Sequence, residues 1–281
     1  MWIAAQQTGD RLHLWVLDGS DASYLTQSSD VNCPFEDQVL GILEPHLPKD
    51  GATLVVCSGV SGAPFVQVPA AVGSPQQIAS ATQRLALFAL PRLAQSQPVD
   101  VMQGEEATVT GLLAQFPEWD GVLCLTGPST RWVHISAGEV VSFRSFMTGE
   151  LFELLGAHSS LNSALMGDDW DSDAFDTALN DAMSRPERFG ATLATLRARS
   201  LLLGAQASSA RANLSGALIG AELAAARPYW LGQNVALIGE GEIADCYNAA
   251  LKGQGAMLER HAAHDLALRG LRDVYEKLRR N

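Results

Sequence analysis

Several short segments carry residue types able to handle a phosphate or another small anion. Thr126-Gly127-Pro128-Ser129-Thr130-Arg131-Trp132 sets hydroxyls, a glycine and an arginine between two apolar runs, the composition of a turn whose backbone N–H groups and side chains can meet an anion. An ordinary β-hairpin has the same composition. In 235–251, an apolar run ends in Gly239-Glu240-Gly241 and opens a helix, so free N–H groups face whatever lies at the helix start, a phosphate or an adenosine among them. A dinucleotide-binding fingerprint would need a third glycine and a downstream acidic residue, which are missing.

Gly104-Glu105-Glu106 begins a helical stretch with adjacent carboxylates. They suit the helix dipole, and either could also activate a hydroxyl or hold Mg²⁺. Arg144, Thr148, Glu150, Arg197 and Arg199 form a candidate anion clamp, because Arg forks pair with a carboxylate and Thr and Glu reach hydroxyls. Salt bridges between domains are the plainer reading. The acidic run from Asp168 to Asp173 lacks the mid-loop Gly and closing Glu of a calcium loop, so it reads as a solvated loop capping the next helix. His261 and His264 lack a third ligand at helical spacing. Cys33, Cys57, Cys124 and Cys246 lack metal or redox spacing and read as buried thiols.

The elements that must carry these residues follow from periodicity. Residues 2–7, 11–18 and 22–28 alternate or run apolar between Thr8-Gly9-Asp10 and 18–21, which predicts a β-meander. A helix is expected at 34–46, strands at 52–57, 65–69 and 85–91, and a short helix near 76–82. A helix at 105–115 then leads into a second strand–turn–strand–turn–strand unit over 121–146. Further helices are expected at 148–157, 173–184, 188–203, 207–226, 241–253 and 262–279, with strands at 234–238 and 256–258. The second meander repeats the first in detail, down to a Thr-Gly turn, an Arg and a Trp on the return strand. That spacing indicates two duplicated domains, not a solenoid. The expected boundary gives 1–104 and 105–281, with the last helix free to pack back on the first domain.

Composition narrows the partners. The chain of 281 residues has a net charge of −12, with 19 Lys+Arg against 31 Asp+Glu, which disfavours nucleic acid and anionic membranes. Lys49, Lys252 and Lys277 are the lysines, so any anion site relies on Arg and backbone amides. The start shows no secretory signal, and no apolar run reaches the roughly 20 residues of a membrane span, so a cytoplasmic protein is expected. A homo-oligomer is left open.

Two meander-plus-helix domains, each with a Thr-Gly turn, resemble the actin-like ATPase fold: α/β, with two ribonuclease-H-like domains around an interdomain ATP cleft. The segments 100–113, 126–133, 142–155, 196–204, 214–225 and 235–251 further resemble, in order and spacing, the 2-dehydro-3-deoxygalactonokinase family, with FMTGEL and LSGALIGAEL the most specific. The resemblance implies transfer of phosphate from MgATP to the 6-hydroxyl of a 2-keto-3-deoxy sugar acid. It implies ATP contacts at Thr8, Gly9, Gly127, Ser129, Thr130, Gly239 and Gly241. It places the sugar acid against Arg131, Arg144, Thr148, Glu150 and Arg197.

The sequence departs from the family at several points. Gln6 stands where the family has an Asp that organises Mg²⁺, Pro128 and Ser129 replace Thr and His, Gln103 replaces Arg, and the substrate loop shortens to 59–65. Catalytic and metal duties then fall to Glu105, Glu106 or Asp10, with Glu105 the expected metal ligand. The alternative implied by the same departures is a pseudokinase that keeps the fold as a ligand sensor or binding partner.

Overall fold

The structure, a computed structural model, describes residues 1–19, 21–30, 32–48, 50–165, 170–203 and 206–280. Lys49 and the Asp168-Asp169 part of the acidic run lie outside the described residues. In chain order the elements of the first part are β1 (Trp2–Thr8), β2 (Arg11–Asp18), β3 (Asp21–Ser28), α1 (Phe35–Leu43), β4 (Thr53–Ser58), β5 (Phe65–Gln67), β6 (Ala70–Ala71), β7 (Gln76–Ile78), β8 (Leu85–Ala89), β9 (Arg92–Ser96), β10 (Val99–Met102) and α2 (Glu106–Gln115). There follow β11 (Gly121–Leu125), β12 (Thr130–Ser136), β13 (Glu139–Phe146), α3 (Thr148–His158), α4 (Ser172–Ser184), α5 (Phe189–Leu203), α6 (Ala207–Ala225), α7 (Arg227–Trp230), β14 (Asn234–Ile238), α8 (Gly241–Gly253), β15 (Met257–His261) and α9 (Ala263–Arg280).

By contacts the chain forms two units. The first comprises Met1–Asp120, Ile135–Phe143 and Ala262–Asn281, and the second Gly121–His134 and Arg144–His261. Helix α2 lies in the first unit, beyond the 104/105 boundary expected from the sequence, and α9 lies there as the same reading allowed. The main sheet of the first unit has the order β3-β2-β1-β4-β8-β7. The meander β1-β2-β3 is antiparallel, whereas β4 and β8 continue the sheet parallel to β1. In the sheet of order β15-β14-β11-β12-β13-β6, β14 is parallel to β11 and β15 to β14, so the meander-then-parallel order recurs.

Strand β1 shows why the first sheet is covered on both faces. Successive side chains of a strand point to opposite faces. Ile3 and Ala5 join Phe35, Val39 and Leu43 of α1, while Trp2 and Ala4 join Ala267, Leu271 and Val274 of α9. Each fully buried large apolar side chain stabilises by roughly 1.5–3 kcal/mol, which explains why the apolar residues 2–5 of β1 are held at the centre of the sheet. Helices α2 and α9 cross at two glycines. A Cβ on Gly111 would overlap the Leu266 carbonyl oxygen, and one on Gly270 would overlap that of Ala107.

The second unit packs β11, β12 and β14 against α4, α6 and α8, with Cys124, Trp132, Leu179, Leu223, Leu237 and Tyr247 in its core. The expected capping of α4 is present: the Asp171 side chain accepts from Ala174 N at 3.0 Å.

Elsewhere the structure corrects the sequence reading. The short helix expected near 76–82 is strand β7, antiparallel to β8, because its residues complete a sheet edge that local propensity does not register. Strand β9 pairs with β10 on one side and β5 on the other in a separate three-stranded sheet. Among the described residues no helix is long and apolar enough to cross a membrane, and no group of three or more His, Cys, Asp and Glu is placed to hold a metal ion.

Candidate functional site

The first unit gathers three loops around the end of β1. Gly9, at φ +55°, lets β1 turn tightly into β2, and Asp10 beside it is exposed. A Cβ on Gly59 or on Gly104 would overlap the Gln7 carbonyl oxygen, so the 58–59 and 103–106 segments lie directly on Gln7 and Thr8. The Gln6 side-chain amide donates to Gly104 O at 2.9 Å and to Thr108 Oγ1 at 3.2 Å. Ser58 Oγ lies 2.9 Å from Gly104 O and from Glu106 Oε2, and Gly104 N donates to that same Oε2 at 2.7 Å. Gln103 Nε2 completes the layer by donating to Gly59 O at 3.0 Å.

The adjacent carboxylates therefore face different surroundings. Glu106 is 1% exposed, and burial followed by the nearby charge of Glu105 pushes its carboxyl up to about 8. It is an inward group that accepts from Ser58 and from Gly104 N and so holds the Gly104 turn. Glu105 is half-buried at the N-terminus of α2.

The second unit builds its own turn. Thr126 N donates to Ile238 O at 2.9 Å, placing the end of β11 beside the end of β14. Gly239, at φ +151°, comes so close that a Cβ would overlap Thr126 Oγ1. Gly149 is equally close to the Gly127 carbonyl oxygen, and Glu150 N donates to Pro128 O at 2.8 Å. Next to this hairpin is a cavity of about 300 Å³ lined by Gly127, Pro128, Phe152, Ser215 and Leu218, and by Glu242, Ile243 and Cys246 of α8. At its wall Arg211 Nη2 meets Glu242 Oε2 at 2.6 Å, with the guanidinium 5.3 Å from the Phe152 ring centroid. The mostly apolar lining and single ion pair suit a flat, uncharged ring system with a polar edge.

Some expected contacts are redirected inward. Thr130 is fully buried with its hydroxyl 2.9 Å from Tyr247 Oη, because alternation along β12 sends Thr130 and Trp132 into the core. Thr148 is buried too and donates to Glu222 Oε2. Ser129 and Arg131 are half-buried, while Arg144, Glu150 and Arg197 are exposed. Arg197 lies on α5, which packs on α6. Gly241, at φ +74°, starts α8. Ser58, Glu222, Tyr247, Arg211 and Glu242 were not singled out from the sequence. Glu222 had a visible signal, being a charge inside the apolar run 214–225.

Three of the four thiols are buried and held protonated by their environment, while Cys33 is half-buried, against the expectation of four buried thiols. Cys57 and Cys124 are fully buried and pushed up by desolvation, and Cys246 is pushed up to about 12.

A meander extended by parallel strands, repeated in two six-stranded sheets and carrying a glycine turn at each first hairpin, defines the actin-like ATPase fold of sugar kinases. The chain belongs to the 2-keto-3-deoxy-galactonokinase family, whose family model matches residues 14–274. It is 31% identical over 280 residues to a Rhizobium meliloti (strain 1021) protein named "Probable 2-dehydro-3-deoxygalactonokinase DgoK1", covering 92% of this chain and 91% of that one. It is 27% identical over 235 residues to the 2-dehydro-3-deoxygalactonokinase of Escherichia coli (strain K12), covering 80% of each. Its structure is similar to the crystal structure of a Sinorhizobium meliloti protein described as "a putative 2-dehydro-3-deoxygalactonokinase protein", with a TM-score of 0.87, 26% identity and 99% of both chains covered.

Proposed function

We propose that the protein is a cytoplasmic ATP-dependent kinase that phosphorylates 2-dehydro-3-deoxy-D-galactonate on its 6-hydroxyl. The observation that carries this reading, beside family membership, is the cavity next to the Gly127–Pro128 turn. Its apolar walls suit the purine, and the N–H groups of Gly127 and Ser129, which flank Pro128 in the turn, are the donors assigned to phosphate. In the transfer, the sugar-acid oxygen forms a bond to the γ-phosphorus, the bond from that phosphorus to the bridging oxygen breaks, and ADP leaves. The hydroxyl proton passes to a carboxylate, for which Asp10 and Glu105 are the open candidates.

Mg²⁺ commonly takes one or two carboxylates together with phosphate oxygens and water, and Glu105 fits as such a ligand. Bound there, the ion would neutralise phosphate charge. Gln6 is uncharged at any pH and adds nothing to that charge. Ser129, Gly239 and Gly241 are assigned to ATP with Gly127, and Thr8 and Gly9 to its phosphates. Arg131, Arg144, Glu150 and Arg197 are assigned to the sugar acid, whose carboxylate suits an Arg fork.

The test is ADP release from purified protein with MgATP and 2-dehydro-3-deoxygalactonate. Turnover that depends on the sugar acid is expected. No turnover, together with no ATP-dependent rise in melting temperature, overturns the reading.

A further inference from the structure

One buried carboxylate has no role in the reading above. Glu222, on α6, is 3% exposed among apolar neighbours. Its Oε1 accepts from Trp132 Nε1 at 2.7 Å, and its Oε2 accepts from Tyr247 Oη at 2.6 Å and from Thr148 Oγ1. The donors come from β12, α8 and α3. A carboxyl in such a place is expensive to bury, and a well-packed apolar residue is often as stabilising, so stability alone does not account for it.

The placement of the donors gives the account. Thr148 opens α3, and the next two residues hold the hairpin: Gly149 lies so close to the Gly127 carbonyl oxygen that a Cβ there would overlap it, while Glu150 N–H donates to Pro128 O at 2.8 Å. On the other side, Tyr247 reaches Thr130, where the hairpin returns into β12. One carboxylate thus ties down both flanks of the 127–130 turn.

We propose that Glu222 is a positioning residue for phosphoryl transfer, fixing the Gly127–Ser129 turn against α3 and α8 so that its amides are already aimed when ATP binds. The proposal rests on the reading that this turn meets the phosphates of ATP. Preorganised donors need no rearrangement during the reaction, and misplacing such a group by about 1 Å can cost about 10²-fold in rate.

The test compares three variants by steady-state kinetics and melting temperature. Glu222→Met fills the space without accepting hydrogen bonds. Its kcat is expected to fall at least about tenfold, with the KM for the sugar acid unchanged. Glu222→Gln recovers most of that loss, since its amide can accept from Trp132 and donate to the oxygens of Thr148 and Tyr247. Thr148→Val cuts only the tie to α3, and its kcat should also fall. Wild-type kcat in folded Glu222→Met, or a Glu222→Gln as slow as Glu222→Met, overturns the proposal. Should Glu222→Met not fold, Thr148→Val decides, and wild-type kcat there overturns it. Should the wild-type protein show no turnover, the kinase reading fails separately, and amide hydrogen exchange over 127–131 decides instead. Faster exchange in Thr148→Val supports positioning, and unchanged exchange overturns it.

Discussion

The side-chain amide of Gln6 donates to the carbonyl oxygen of Gly104 at 2.9 Å, joining the first strand to the turn that opens α2. An aspartate could not make this bond. It lacks the donor and is one methylene shorter, and its charge would lie near the buried Glu106.

Gln6→Asp should therefore destabilise the protein by about 1–3 kcal/mol through loss of a buried hydrogen bond and an uncompensated acceptor. Urea denaturation at pH 7 measures it. Unchanged stability would show that the Gln6 amide contributes nothing to holding the turn.

Stability should also depend on pH through Glu106. Its folded value, about 8, lies above the ordinary unfolded value of about 4.3, so the native state holds the proton more tightly. The stabilisation is complete below about pH 4.3 and is lost as pH rises through about 8. The slope from this group is at most about 1.4 kcal/mol per pH unit. Glu106→Gln keeps an uncharged side chain there, so its stability relative to wild type should improve steadily from pH 6 to 8.5 in urea titrations. A constant difference across that range would contradict the assigned burial.

Gly149→Ala tests the contact between α3 and the hairpin. A Cβ would overlap the Gly127 carbonyl oxygen, so despite alanine's better helix propensity the change should cost about 1–3 kcal/mol and slow turnover. Gly156→Ala in the same helix meets nothing within 4 Å and should be neutral or stabilising by up to about 1 kcal/mol. Equal melting temperatures for the two variants would refute this contact.

Gly270→Ala forces α9 away from α2, because the added carbon meets the Ala107 carbonyl oxygen. A loss of about 1–3 kcal/mol is expected from thermal or chemical unfolding. Helix-propensity gain without destabilisation would mean that the two helices can slide apart at little cost.

Arg211→Met removes the ion pair on the cavity wall and keeps an apolar stem. The pair is partly exposed, so stability should change by less than about 1 kcal/mol. If the cavity seats the purine, the KM for ATP rises while that for the sugar acid stays put. An unchanged KM for ATP would remove the cavity from the nucleotide site.

The sequence by itself determined the repeated meander and the glycine turns, because these are local: short apolar or alternating segments between turn signals, and glycines where backbone must turn or approach backbone. It also carried the family motifs around Glu105 and Thr148. Only the tertiary structure decided which way those side chains face. Glu106 and Thr130 look free in a motif, yet helical and strand periodicity turns them toward Ser58 and Tyr247, whose positions are set by distant packing. β7, β9 and β10 became strands for a similar reason, since their hydrogen-bond partners lie on other segments. Glu222 was a visible anomaly in an apolar run, but the donors that satisfy it come from residues 132, 148 and 247, which only folding brings to one carboxylate.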